Sequence, residues 1–116
     1  HVTHKSQYSK GYQCHIGADV PIGHGCIIHA CTIEDMALVG MGSVILDGTI
    51  ISKKVIIGAK SLVPSGKTLE SGYLYMGSPC KKIRPLKDAE LKFLKYSATH
   101  YVNTKDDFLS EPELFF

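Results

Sequence analysis

A chain of 116 residues allows one domain at most. Its 13 basic and 11 acidic residues leave a formal charge of +2, which gives no electrostatic reason to expect nucleic acid or an anionic membrane as partner. No apolar run approaches the roughly 20 residues of a membrane span, and the opening His1-Val2-Thr3-His4-Lys5 is not a basic-then-apolar leader, so a soluble, cytoplasmic protein is expected.

Residues 5–13 (KSQYSKGYQ) are polar and contain a glycine, which predicts a loop thrown out from the body of the domain. A six-residue repeat then takes over. Large aliphatics recur at Ile16, Ile22 and Ile28. After one five-residue step they recur at Ile33, Val39, Ile45, Ile51, Ile57 and Val63. Two residues before each stands a small or β-branched residue: Cys14, Val20, Cys26, Cys31, Ala37, Ser43, Thr49, Val55 and Ser61. Glycine often follows the aliphatic, as at Gly17, Gly23, Gly40 and Gly58.

A period of six fits neither a helix at 3.6 nor a strand at 2. It fits a short strand plus a corner, repeated. Three such sides close a triangular coil of about 18 residues, and coils stack at about 4.8 Å. The predicted fold is an all-β solenoid, a left-handed parallel β-helix of hexapeptide repeats spanning 1–85. The aliphatic and the small residue point inward, and glycine relieves the corner. Cys14, Cys26 and Cys31 fall on the inward small position and read as buried small hydrophobes rather than metal thiolates. The four cysteines have no C-x-x-C spacing, and Cys80 lies outside the repeat.

From Pro64 the hexads fade. Asp88 is expected to cap a C-terminal helix that packs along the prism, with Leu91, Leu94, Ala98 and Tyr101 on one face. That helix and an acidic, aromatic tail make up 86–116. The repeat supplies only about three coils, and an uncapped solenoid end exposes its apolar interior. Further N-terminal coils are therefore expected in the natural protein.

The histidines follow from the register. His24 lies two residues past the inward Ile22, and His29 one past the inward Ile28, so both should face outward near successive corners. Five residues of extended chain span roughly 16 Å, less across a corner, so one chain is not expected to bring both to one ion. His1 precedes His29 by 28 residues, which is about one coil once the loop is removed. The two imidazoles would then stack about 4.8 Å apart and share a metal, with His24 supplied by a neighbouring subunit of a threefold trimer. Three imidazoles with one open position form a catalytic metal site, which yields hydroxide at neutral pH. A lone outward histidine more often just decorates a wet corner, and His15 and His100 are read that way.

At these residues the chain resembles the gamma-class carbonic anhydrase family, including its bacterial ferripyochelin-binding-protein-like branch. The matching segments are IGHGCIIHACTI, VGMGSVILDGTII and GYLYMGSPCKKIRPL. The resemblance implies a metal triad of His1, His24 and His29, two ligands from one subunit and one from its neighbour, holding Zn2+, with Fe2+ or Co2+ also compatible. It implies reversible hydration of carbon dioxide to bicarbonate by metal-bound hydroxide in a homotrimer. The family's archaeal prototype has an acidic proton-transfer residue three positions after the first ligand. Here that position holds His4, whose imidazole is a candidate proton shuttle. The family's upstream Arg, Asp, Asn and Gln positions are absent from this sequence. Tyr75 reads as packing rather than as a site residue. The competing readings are an acyl-CoA-dependent acyltransferase, which shares the solenoid and needs one histidine base, and a catalytically weak metal-binding homologue.

Overall fold

The computed structural model describes residues 14–99, with side chains to residue 97. Nine two-residue strands come first: β1 (His15–Ile16), β2 (Ile27–Ile28), β3 (Thr32–Ile33), β4 (Leu38–Val39), β5 (Val44–Ile45), β6 (Ile50–Ile51), β7 (Ile56–Ile57), β8 (Leu62–Val63) and β9 (Thr68–Leu69). Then come β10 (Tyr73–Gly77), β11 (Cys80–Pro85) and the helix α1 (Asp88–Thr99). The strands form three parallel faces, β1-β3-β6-β9, β2-β5-β8 and β4-β7-β10, and β11 adds antiparallel to the last. This is the parallel β-helix that the hexads predict, about three turns long.

The stacking register carries the numerical signature of the repeat. Leu38 pairs with Ile56 and Val44 with Leu62, an offset of 18. Coils that cross the five-residue step are offset by 17, as in Ile16 with Ile33 and Ile28 with Ile45. The step therefore removes one corner residue without disturbing the strands.

Inside the prism the aliphatics stack in columns, among them Ile28–Ile45–Val63 and Val39–Ile57, all fully buried. Each such side chain contributes about 1.5–3 kcal/mol by leaving water. The small inward positions are buried from Val20 to Ser61, and Cys14 is half-buried at the first coil. Their polar groups are satisfied by corner carbonyls. The Ser61 and Ser43 hydroxyls donate to the Gly58 carbonyl at 2.7 and 3.2 Å, Thr49 to that of Leu46 at 2.7 Å, and the Cys26 thiol to that of Gly40 at 3.1 Å. Burial pushes the Cys26 and Cys31 thiols up, with the neighbouring Cys14 adding to the effect at Cys31. Inert interior thiols fit the sequence reading.

Three expectations need correction. The hexads do not fade at Pro64, because within the 1–85 span Leu69 and Tyr75 continue the inward column and are buried. Lys67 and Tyr73 occupy the small position there, which the prism tolerates near its end. The glycines after the aliphatics do not supply unusual φ. Left-handed φ belongs to other corner residues, such as Gly48 (+75°) and Gly66 (+75°). Gly40 is needed instead for close approach, since a Cβ there would lie 2.7 Å from the Ala59 nitrogen. Finally, Asp88 is not the N-cap. The Leu91 N–H donates to the Lys87 carbonyl at 2.9 Å, and Glu90 accepts the Lys87 N–H at 2.8 Å, so Lys87 caps the helix and Glu90 closes half a capping box.

α1 lies against the face formed by β4, β7 and β10. Leu94, 1% exposed, and half-buried Leu91 pack with Leu38, Ile56, Leu74 and Leu86. That covers one of the three faces. Ala98 has no described side chain, and Tyr101, the acidic tail and the predicted loop at 5–13 lie outside the described residues.

Candidate metal centre

The site begins with one face of the prism. On β2-β5-β8 the inward column is Ile28–Ile45–Val63, so the alternate residues Ile27, Val44 and Leu62 point outward. Ile27 is 51% exposed, while Val44 and Leu62 are half-buried. Unlike the helix-covered face, this aliphatic row has no covering element among the described residues.

A histidine stands at each end of that face in the first coil. His24 sits at the corner before β2, exposed, between the buried Gly23 and the left-handed Gly25 (φ +71°). Its carbonyl accepts the Gly42 N–H at 2.8 Å, which locks this corner onto the next coil. His29 opens the corner after β2, and its N–H donates to the Ile45 carbonyl at 2.9 Å. The two histidines thus flank the exposed Ile27 from opposite corners of one chain, as the register predicts.

His29 is further set by the coil above it. Its Nδ1 lies 3.5 Å from Oδ1 of Asp47, and the same oxygen accepts the Ala30 N–H at 3.3 Å. With Nδ1 turned toward a carboxylate, metal ligation by this ring would use Nε2. An open groove borders this corner, lined by Ala30, Thr32, Asp47, Ile50 and Ser65. The donor chemistry present suits a borderline divalent cation. Among the described residues no three ligating side chains converge. The remaining predicted ligand, His1, and the candidate shuttle, His4, lie outside the described residues, as does His100. His15 is exposed on the outer face of β1, beside Glu34, Asp35 and Lys53.

Tyr75 is 7% exposed in the interior column, and its hydroxyl accepts the Glu70 N–H at 2.8 Å. It packs, as the sequence reading holds. Cys80, unassigned from sequence, is buried at the start of β11 and joins the same core. Asp47 is the residue that sequence reasoning missed. The available signal was its position, one coil beyond His29.

No family model matches the chain. Among curated proteins it is 56% identical over 112 residues to protein YrdA of Escherichia coli, covering 96% of this chain and 61% of that protein. It is 41% identical to the mitochondrial gamma carbonic anhydrase 2 of Arabidopsis thaliana, covering 83% of this chain and 34% of that protein. Among solved structures, a hexapeptide transferase family protein from Anaplasma phagocytophilum is 35% identical with a TM-score of 0.71, covering 81% of this chain and 61% of that one. A candidate acetyltransferase from Bacillus cereus is 37% identical with a TM-score of 0.70, covering 84% and 62%. The chain therefore spans 61% of the length of YrdA and less of the plant enzyme.

Proposed function

Because the chain belongs to the hexapeptide-repeat family that includes the gamma-class carbonic anhydrases, we propose that it forms a metal-dependent carbonic anhydrase-like homotrimer acting on carbon dioxide and bicarbonate. The observation that carries this reading is the placement of His24 and His29 at the two ends of an exposed aliphatic face. A threefold assembly that buries Ile27, Val44 and Leu62 brings the His24 corner of one subunit toward the His29 corner of the next. His1 joins His29 from the same chain, and His24 comes from the neighbour. Zn2+ is the proposed ion, with Fe2+ or Co2+ also suited to three imidazoles. When bound, the ion supplies Lewis acidity that makes water nucleophilic near neutral pH.

The chain's own residues do the rest. The corner hydrogen bonds from Gly42 to His24 and from His29 to Ile45 hold the backbones of both histidines on the stacked coils. In the proposed trimer the aliphatic row would exclude bulk water from the interface beside the histidines. His4 is the proposed proton carrier to solvent.

The likeness to the transferase and candidate acetyltransferase structures at 35–37% identity supports a second reading, acyl transfer from acyl-CoA with one histidine as base. Metal analysis of the full-length protein, followed by carbon dioxide hydration with and without the metal, separates the two. Stoichiometric metal with metal-dependent hydration supports the first reading. No bound metal, together with acetyl-CoA turnover, overturns it. Metal without hydration marks a binding homologue.

A further inference from the structure

The corner that carries His29 is one residue shorter than those stacked on it. Two residues, His29 and Ala30, separate Ile28 from Cys31, whereas Leu46-Asp47-Gly48 separate Ile45 from Thr49 and Pro64-Ser65-Gly66 separate Val63 from Lys67. The missing residue is the left-handed glycine, present as Gly48 and Gly66 in the coils above. The Gly48 N–H reaches the Ala30 carbonyl at 2.7 Å, while the Ala30 N–H turns to the Asp47 side chain. The shortened corner thus places His29 beside the carboxylate of the following coil.

Asp47 Oδ1 serves two groups, the Ala30 N–H at 3.3 Å and the His29 Nδ1 at 3.5 Å. The pair is partly open to solvent, with side-chain exposures of 57% for Asp47 and 35% for His29. In the next coil Ser65 occupies the Asp47 position and Pro64 that of Leu46, so the carboxylate is confined to the coil that faces the histidine. A carboxylate facing one imidazole nitrogen selects the tautomer with a proton there. It fixes the ring and makes the other nitrogen a better donor.

We propose that Asp47 is a positioning residue for His29, holding Nδ1–H so that Nε2 is presented to a divalent cation at the subunit interface. This rests on His29 being a metal ligand. It also gives the five-residue step in the repeat a purpose: it sets one histidine against one carboxylate.

The test measures Zn2+ affinity of the full-length protein by competition with a chromogenic chelator, for wild type, Asp47→Ala, Asp47→Asn, Ser65→Ala and His29→Ala. Removing an outer partner of a metal-bound histidine typically weakens affinity by about 10–100-fold. Asp47→Ala is expected to fall in that range and Asp47→Asn, which keeps an acceptor oxygen without the charge, between it and wild type. Ser65→Ala, the same position one coil away, should match wild type. Nitrogen NMR of the zinc-free protein should show His29 protonated at Nδ1 in wild type and shifted toward the other tautomer in Asp47→Ala, a readout that a purely structural role would not move. If His29→Ala loses zinc while Asp47→Ala binds it like wild type, or the His29 tautomer is unchanged in Asp47→Ala, the positioning role is wrong. If His29→Ala binds zinc like wild type, the metal-site reading itself fails.

Discussion

Gly40→Ala tests how tightly the coils are stacked. A Cβ at residue 40 would stand 2.7 Å from the Ala59 nitrogen and the Ile57 oxygen, and 2.8 Å from the Gly58 carbonyl carbon. All three atoms are backbone, so no side chain can swing aside. Reaching ordinary contact would require the coils to part by about 0.7 Å, stretching the 2.8 Å bond from the Gly40 N–H to the Ile57 carbonyl beyond useful geometry. Overpacking strain of about 1–3 kcal/mol together with a weakened hydrogen bond sets the expected loss at about 2–4 kcal/mol. Gly66 is the contrasting case. Nothing lies within 4 Å of its Cβ position, and its φ is +75°. Gly66→Ala should cost about 1–2 kcal/mol from left-handed backbone alone, and Gly66→Asn less, since asparagine tolerates that region. At residue 40 asparagine, being larger, should be worse than alanine. Urea midpoints at fixed chain concentration would measure all four variants, because assembly shifts apparent stability. A Gly40→Ala variant within about 0.5 kcal/mol of wild type, or a Gly40→Asn variant milder than Gly40→Ala, would show that the coils are not tightly stacked at residue 40.

Leu94→Ala should cost about 2–5 kcal/mol and raise hydrogen exchange across α1, since Leu94 is 1% exposed against Leu38 and Ile56; unchanged protection would show that the helix is not anchored there. Ile27→Lys should leave the solenoid's circular dichroism intact but shift the protein to monomer in sedimentation, with loss of bound zinc. A persisting trimer would place the interface elsewhere. Arg84 grips Glu90 through two bonds of 2.8 and 2.7 Å and, with other hydrogen bonding, holds its carboxyl below the usual range. A depressed folded value contributes stability above the unfolded carboxylate value of about 4.3, lost as pH falls through the folded one. The destabilisation caused by Glu90→Gln should therefore be full at pH 7 and shrink on acidification below about pH 4; a pH-independent gap in urea midpoint would contradict this.

The fold was legible because each hexad repeats two constraints at once, a small inward residue and an aliphatic two positions on. Even the five-residue step reads directly as the 17-residue pairing of Ile28 with Ile45. Legibility ended where the constraint relaxed. Lys67 and Tyr73 break the small-residue rule near the end of the prism, so Leu69 and Tyr75 do not read as inward hexad positions although they fall within the 1–85 solenoid. Capping by Lys87 was hidden because its backbone, not its side chain, does the work. His24 and His29 were readable from their distance to inward aliphatics. Asp47 was not, since an outward acidic residue at a solenoid corner looks like ordinary solvated surface until the coil offset sets it beside His29.

The proposed metal site draws on two chains, and mixed trimers test this directly. His24→Ala and His29→Ala, each prepared alone in the full-length protein, should form folded trimers that bind no zinc. Co-refolded in equal amounts, they should recover about a quarter of the wild-type zinc, because one in four random interfaces pairs an intact His24 with an intact His29. Zinc bound at wild-type stoichiometry by either variant alone, or no recovery in mixed trimers, would contradict a site shared between subunits.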